Sequence, residues 1–227
     1  MTSEVVIRLP GVAKKTFENL KDQTFYRKIT KGLVKKLRKA ASPVKRARLA
    51  HRLIDEKLQK LFQDKTVQKH VKCSKGCTAC CHTQVSVTEE EAQLLAQRVK
   101  EGVEIDYARL KEQANAGSSP ESWYKKPYES RACVFLGENG ECRVYEDRPS
   151  VCRTNFVVSD PYFCSTKDGK VRNVRLLNTF EADMAVAGLF FETESSGTLP
   201  QKLYEALGRK KKKVAAIHNL PKLDDFR

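Results

Sequence analysis

The sequence predicts an α+β fold, mainly α-helical, with a cysteine-rich metal-binding centre on a short β-hairpin flanked by helices. Three observations predict it. Apolar residues recur at helical spacing on both sides of the centre. Helix-start signatures stand at Ser42-Pro43 and at Thr88. Eight cysteines fall between the helical segments, four of them within C73-S-K-G-C77-T-A-C80-C81.

Residues 1–71 read as a basic helical N-terminal segment. Basic runs such as K31-G-L-V-K-K-L-R-K39 are interrupted by Leu33, Val34 and Leu37. Ser42 offers a side-chain N-cap, and Pro43 suits a first turn where no N–H is needed. Ala47, Ala50, Leu53, Ile54, Leu58, Leu61 and Phe62 then predict a long amphipathic helix over 43–69, basic outside and apolar within. Residues 72–166 read as the cysteine-cluster metal-binding domain. Within it Thr88-Glu89-Glu90-Glu91 is a capping box, its acids favoured at the positive helix end. Ala92, Leu94, Leu95 and Val99 give that helix its apolar face, and Gly102 suits its end. A shorter helix is expected over 104–115, then a loop through Pro120. Residues 133–145 predict two short strands joined by a turn at Gly137, Asn139 and Gly140, after which Arg148-Pro149 starts a helical turn through Cys152. Residues 167–227 read as C-terminal helices packing on this domain, with a basic tail. Asp168-Gly169 marks a turn, 179–191 a helix, and Leu199-Pro200 the start of a last helix ending in 209–213.

Charge divides the 227-residue chain unevenly. Residues 1–72 hold 20 Lys/Arg against 6 Asp/Glu, residues 73–200 hold 15 against 19, and residues 201–227 hold 8 against 3. The cysteine region is therefore mildly acidic between basic ends, and nucleic-acid attraction is not its chemistry. The first residues have no basic leader followed by an apolar run, and no stretch approaches the roughly 20 apolar residues of a membrane span. A cytoplasmic protein is expected, and there dense thiols point to metal or redox chemistry rather than disulfides.

The spacing Cys73-x3-Cys77-x2-Cys80 suits zinc or an iron–sulfur cluster. Tight loops let neighbouring thiolates turn inward to about 2.3 Å from a zinc ion, and clusters use similar short spacings. Gly76 allows the turn, while Thr78 and Ala79 leave room. The adjacent Cys80 and Cys81 point apart in most backbones, so they are expected to serve different positions, or one to stand behind the ligands. A hairpin brings Cys133 near Cys142, and the turn at Arg148-Pro149 folds Cys152 back toward them. Arg143, Arg148 and Arg153 lie among these thiols, where they either offset the −2 charge of a four-thiolate zinc or pair with surface carboxylates. His82 follows the cluster and is expected to hydrogen-bond backbone rather than ligate; His51, His70 and His218 are expected at the surface.

The blocks C73-x3-C-x2-C-C81 and C133-V-F-L-x4-E-C-R-V-Y-x2-R-P-S-V-C-R153 resemble the YkgJ-like cysteine-cluster family over roughly residues 73–160. The resemblance implies zinc or iron chelation. It places Cys73, Cys77, Cys80 and Cys81 in a first ligand block and Cys133, Cys142 and Cys152 in a second, with Tyr145, Arg148 and Pro149 as its other signature residues. Cys164 lies beyond that signature. The alternative is a cluster-dependent enzyme. Cys73, Cys77 and Cys80 match the radical-SAM spacing, and a flagellin lysine methylase is similar in its cysteine block, but the strand–helix alternation of a partial barrel is missing. A thiol redox centre on Cys77 and Cys80 lacks its βαβ setting. For the basic ends, the expected partners are nucleic acid or an acidic protein, through phosphate or carboxylate attraction; no stacking aromatics interleave residues 31–48.

Overall fold

The computed structural model describes residues 24–208 apart from 75, 118 and 171, with the side chains of 25–27 also outside the description. The expected basic tail at 209–213, His218 and the first 23 residues lie outside the described residues. Helix α1 runs Thr24–Arg38 and α2 Pro43–Leu61. Ser42 is the N-cap of α2, its hydroxyl accepting from Lys45 N–H, and Pro43 opens the first turn as expected. The helix does not continue to 69. Asp64 accepts from Thr66 N–H at 2.7 Å and so caps a separate helix α3, Lys65–His70.

Strand β1 (Ser86–Thr88) leads directly into α4 (Glu89–Lys100). The capping box is complete: Thr88 accepts from Glu91 N–H, while the Glu91 carboxylate accepts from Thr88 N–H at 3.0 Å. Helix α5 (Tyr107–Asn115) starts at Asp106, whose carboxylate accepts from Arg109 N–H. A short helix α6 (Pro120–Tyr124) follows where only a loop was expected, with Ser119 as N-cap and Pro120 in its first turn. Helix α7 is the single turn Ser150–Arg153, α8 is Phe180–Glu192, and strand β2 (Ser196–Thr198) runs into α9, Leu199–Gly208.

The sheet is not the expected hairpin. Residues 133–145 make only an isolated antiparallel bridge, Leu136 to Cys142, around a turn closed by Gly137 N–H to Glu141 O at 2.8 Å. Gly140 takes φ +77° in that turn, a conformation only glycine adopts without strain. The described two-stranded sheet instead pairs β1 with β2, Ser86 opposite Thr198 and Thr88 opposite Ser196. The fold nevertheless has the expected mainly helical α+β character.

Helices pack pairwise in the order α1, α8, α2, α4, α9, α5. Helix α8 is apolar almost all round and is buried from Ala182 to Phe190 except Asp183, as its central place requires. The main core joins Ile54 of α2, Leu95 of α4, Leu110 of α5, Phe135, Val151 and Val186 of α8. Fully buried side chains of this kind each contribute about 1.5–3 kcal/mol. Cys133, Cys142 and Cys152 pack against this core. Among the described residues, no helix is long and apolar enough to cross a membrane.

Candidate metal centre

The first cysteine block lies on a loop that ends in a 3₁₀ turn, Ala79–His82. Lys72 N–H donates to Val157 O at 2.9 Å, pinning the start of the loop. The Cys73 sulfur accepts from Val157 N–H at 3.3 Å. Gly76 takes φ +85° and turns the chain so that Cys77 N–H reaches Ser74 O. Backbone stitches the two blocks together: Cys133 N–H donates to Cys81 O at 2.8 Å. Cys152 sits in α7, its N–H donating to Pro149 O, and Cys164 ends a second 3₁₀ turn, Pro161–Cys164, that packs on Ala79–His82.

All eight cysteines are free thiols, and Cys80 is their hub. Its charge bears on each of the other seven. Cys80 itself is held below an ordinary thiol, first by the Cys81 thiol donating to its sulfur, then by the Asn155 amide and the Arg148 guanidinium. Cys81 is pushed up as the donor of that bond, by burial, and by the charges of Cys80, Cys133 and Cys152. Burial, followed by neighbouring thiolate charge, raises Cys152 well above its usual value. Cys133 and Cys164 are each pushed up to about 12, again by burial first. Mutual repulsion of this kind is what a bound cation relieves.

Of the arginines, Arg148 bears favourably on Cys80, Cys142 and Cys152, while its guanidinium lies 3.9 Å over the Tyr145 ring. Arg143 turns away and donates to Glu104 O. Arg153 is buried and donates to both Asp55 oxygens, at 2.8 and 2.6 Å, and to Arg148 O. His82 contacts Thr78 O through Nδ1 at 3.2 Å and stacks on Tyr128 with ring centroids 4.0 Å apart, the backbone role expected of it.

Against expectation His51 is buried, not at the surface: its Nε2 lies 3.2 Å from Glu91. Glu91 also accepts from Ser150 N–H at 2.6 Å and so holds the start of α7, two residues before Cys152. The spacing of His51 and Glu91 in the sequence carries no sign of this contact across 40 residues. Asn155, also missed, stands beyond the cysteine signature with nothing in its context to mark it.

By donor type the residues fit zinc or iron, since soft sulfur ligands occur in number near a balancing guanidinium. Among the described residues, no three His, Cys, Asp or Glu side chains are already gathered at metal-holding geometry. The thiols are therefore neighbours across loops rather than a closed coordination shell.

Residues 72–174 match the family model described as "CxxCxxCC: Putative zinc- or iron-chelating domain". Comparison with curated proteins and with solved structures returns no match. The match takes in all eight cysteines, Cys164 included. Over residues 72–174 the chain is thus similar to this cysteine-cluster family.

Proposed function

We propose that the chain chelates zinc or an iron–sulfur cluster through Cys73, Cys77, Cys80, Cys81, Cys133, Cys142 and Cys152, in a reducing compartment such as the cytoplasm. The observation that carries the reading is the junction of the two blocks: Cys133 N–H bonds Cys81 O, and the charge of Cys80 bears on thiols of both blocks. Four thiolates on a divalent ion leave a formal charge of −2, which Arg148 is placed to offset. Anaerobic purification followed by metal analysis and a visible spectrum tests this. Stoichiometric zinc without colour supports the zinc form; iron with acid-labile sulfide and a broad visible band supports the cluster. Cluster-dependent enzyme chemistry is the alternative. It calls for a cofactor-sized cavity at the thiols; one cavity, of about 730 Å³ beside α2, is lined by Lys39, Arg48, His51, Asp55 and Asp147 among others and lies away from them.

A second reading concerns partners. Helix α1 exposes Lys28, Lys31, Lys35 and Lys36, with Lys39 exposed just after it, and none of them forms a salt bridge among the described residues. This favours a polyanion, nucleic acid or an acidic protein, on that helix. A mobility shift with mixed RNA and DNA fragments that weakens steeply with salt supports nucleic acid; no shift at low ionic strength removes it.

A further inference from the structure

We infer that the groove between the end of α1 and the exposed face of α2 binds a small phosphate ester of nucleotide size, its phosphate held by Lys39, Lys45 and Arg52. The site lies apart from the thiols, and it depends neither on the chelation reading nor on the polyanion reading of α1.

Charge identifies the ligand first. The groove encloses about 730 Å³, a volume usual for small-molecule sites. Lys45, Arg48 and Arg52 line it at i, i+3 and i+7 of α2, one helix face, opposite the face that buries Ala47, Ala50 and Ile54. Lys39, just past the end of α1, joins them. All four are exposed, and among the described residues Lys39, Lys45 and Arg52 form no ion pair. The lining carboxylates are mostly committed elsewhere. Both Asp55 oxygens accept from Arg153, at 2.8 and 2.6 Å. Asp147 lies 3.2 Å from Arg98 Nε and 3.9 Å from Arg48 Nε, the second too long for a hydrogen bond. The buried His51 is held between Glu91 and Arg153. With Asp55 and Asp147 neutralised by arginines outside the groove, four cations face the single exposed carboxylate of Glu146. An anion is the complement of that arrangement.

Shape and the rest of the lining make that anion an ester rather than a bare ion. A lone phosphate leaves most of the volume unfilled. Ala40, Ala41 and Leu49 give part of the wall an apolar surface. The planar guanidinium groups of Arg48 and Arg52 can stack on a flat ring as well as donate to phosphate oxygens in pairs. Glu146 offers an acceptor to hydroxyl groups on the same organic body. A ring carried on a phosphate uses all three features at once, and a site of this volume holds one such molecule.

The test is isothermal titration calorimetry of the full-length chain at low ionic strength with ADP, adenosine, pyrophosphate and a single-stranded oligonucleotide, with far-UV circular dichroism as the check on folding. ADP is expected to bind at one equivalent and adenosine not at all. Pyrophosphate, which lacks the ring, is expected to bind about 10-fold more weakly than ADP. Lys45→Ala and Arg52→Ala are each expected to weaken ADP binding by about 10-fold, the usual loss for a charge-assisted hydrogen bond, and Arg52→Glu to abolish it. Lys60→Ala, exposed on the same helix but outside the groove, is expected to leave it unchanged. A folded chain that does not bind ADP overturns the proposal, and so does ADP binding that Lys45→Ala and Arg52→Ala leave intact. Equal weakening in Lys60→Ala reduces the effect to net charge and overturns it too. Pyrophosphate that binds as tightly as ADP removes the ester from the proposal. An oligonucleotide that binds more tightly than ADP, and loses as much in the same variants, gives the groove to nucleic acid instead.

Discussion

Cys80 is held below an ordinary thiol first by the Cys81 thiol next to it, then by its own backbone, by the Asn155 amide as donor and by the charge of the Arg148 guanidinium. Groups that orient and charge-balance a metal ligand typically change metal affinity by about 10–100-fold when removed. Asn155→Leu, which keeps the size but removes the donor, is expected to weaken zinc binding by about 10-fold in chelator competition. Arg148→Met is expected to do the same, and binding unchanged in both variants would show that these donors do not serve the centre. Because most of the thiols are raised, metal uptake must displace their protons, so affinity is expected to fall steeply as pH drops from 8 toward 6. The cysteines themselves were legible in the sequence, since thiols at two- and three-residue spacing declare their chemistry locally. Asn155 and the buried His51 were not, because their roles depend on partners that only the fold supplies.

Helix α7 carries Cys152 yet is a single turn, so its position depends on neighbours rather than on its own stability. Glu91 of α4 caps it through Ser150 N–H, and Arg153 anchors it to Asp55 of α2. Burial works against the Glu91 charge, but His51 and the amides of Thr88 and Ser150 outweigh it and hold the carboxyl below its ordinary range. A carboxyl depressed in the folded state stabilises above its unfolded value, near 4.3, and that contribution is lost as pH falls through the folded value. Glu91→Gln is therefore expected to cost about 3 kcal/mol at pH 7 by urea unfolding, with the gap to wild type narrowing below about pH 4. A gap that does not depend on pH would exclude the charged role. Elsewhere, Gly188 lets α1 approach α8: a Cβ there would meet Leu33 Cβ at 3.2 Å. Gly188→Val is expected to destabilise by about 2 kcal/mol, partly rescued by Leu33→Ala. Among the elements, the caps at Ser42 and Thr88 were readable because a cap and its target lie within three residues. The helix break at Asp64 was missed because the apolar spacing through Phe62 hid the capping aspartate.

At the scale of the molecule, the strands β1 and β2 are three residues each and pair across more than a hundred residues. No hydrophobic alternation of that length stands out from a sequence, so the strand signal at 133–145 drew the expected sheet to a turn that makes a single bridge. The mainly helical class was legible because it rests on long periodic segments; the pairing order of the helices was not. The β1–β2 ladder ties the end of the cysteine loop to α9, with Leu199 N–H donating to Val85 O at 2.7 Å, so order at the thiols and order in the bundle are coupled. Bound metal should therefore stabilise the whole fold. At a free concentration one hundred times Kd a bound ion adds about 2.7 kcal/mol, and stripping the metal with a strong chelator is expected to lower the unfolding midpoint. The most direct measurement is the metal and acid-labile sulfide content of the full-length chain purified without oxygen. Zinc or iron in fixed proportion to protein is the expected result; a folded chain that carries neither, and takes up neither on titration, would contradict the account.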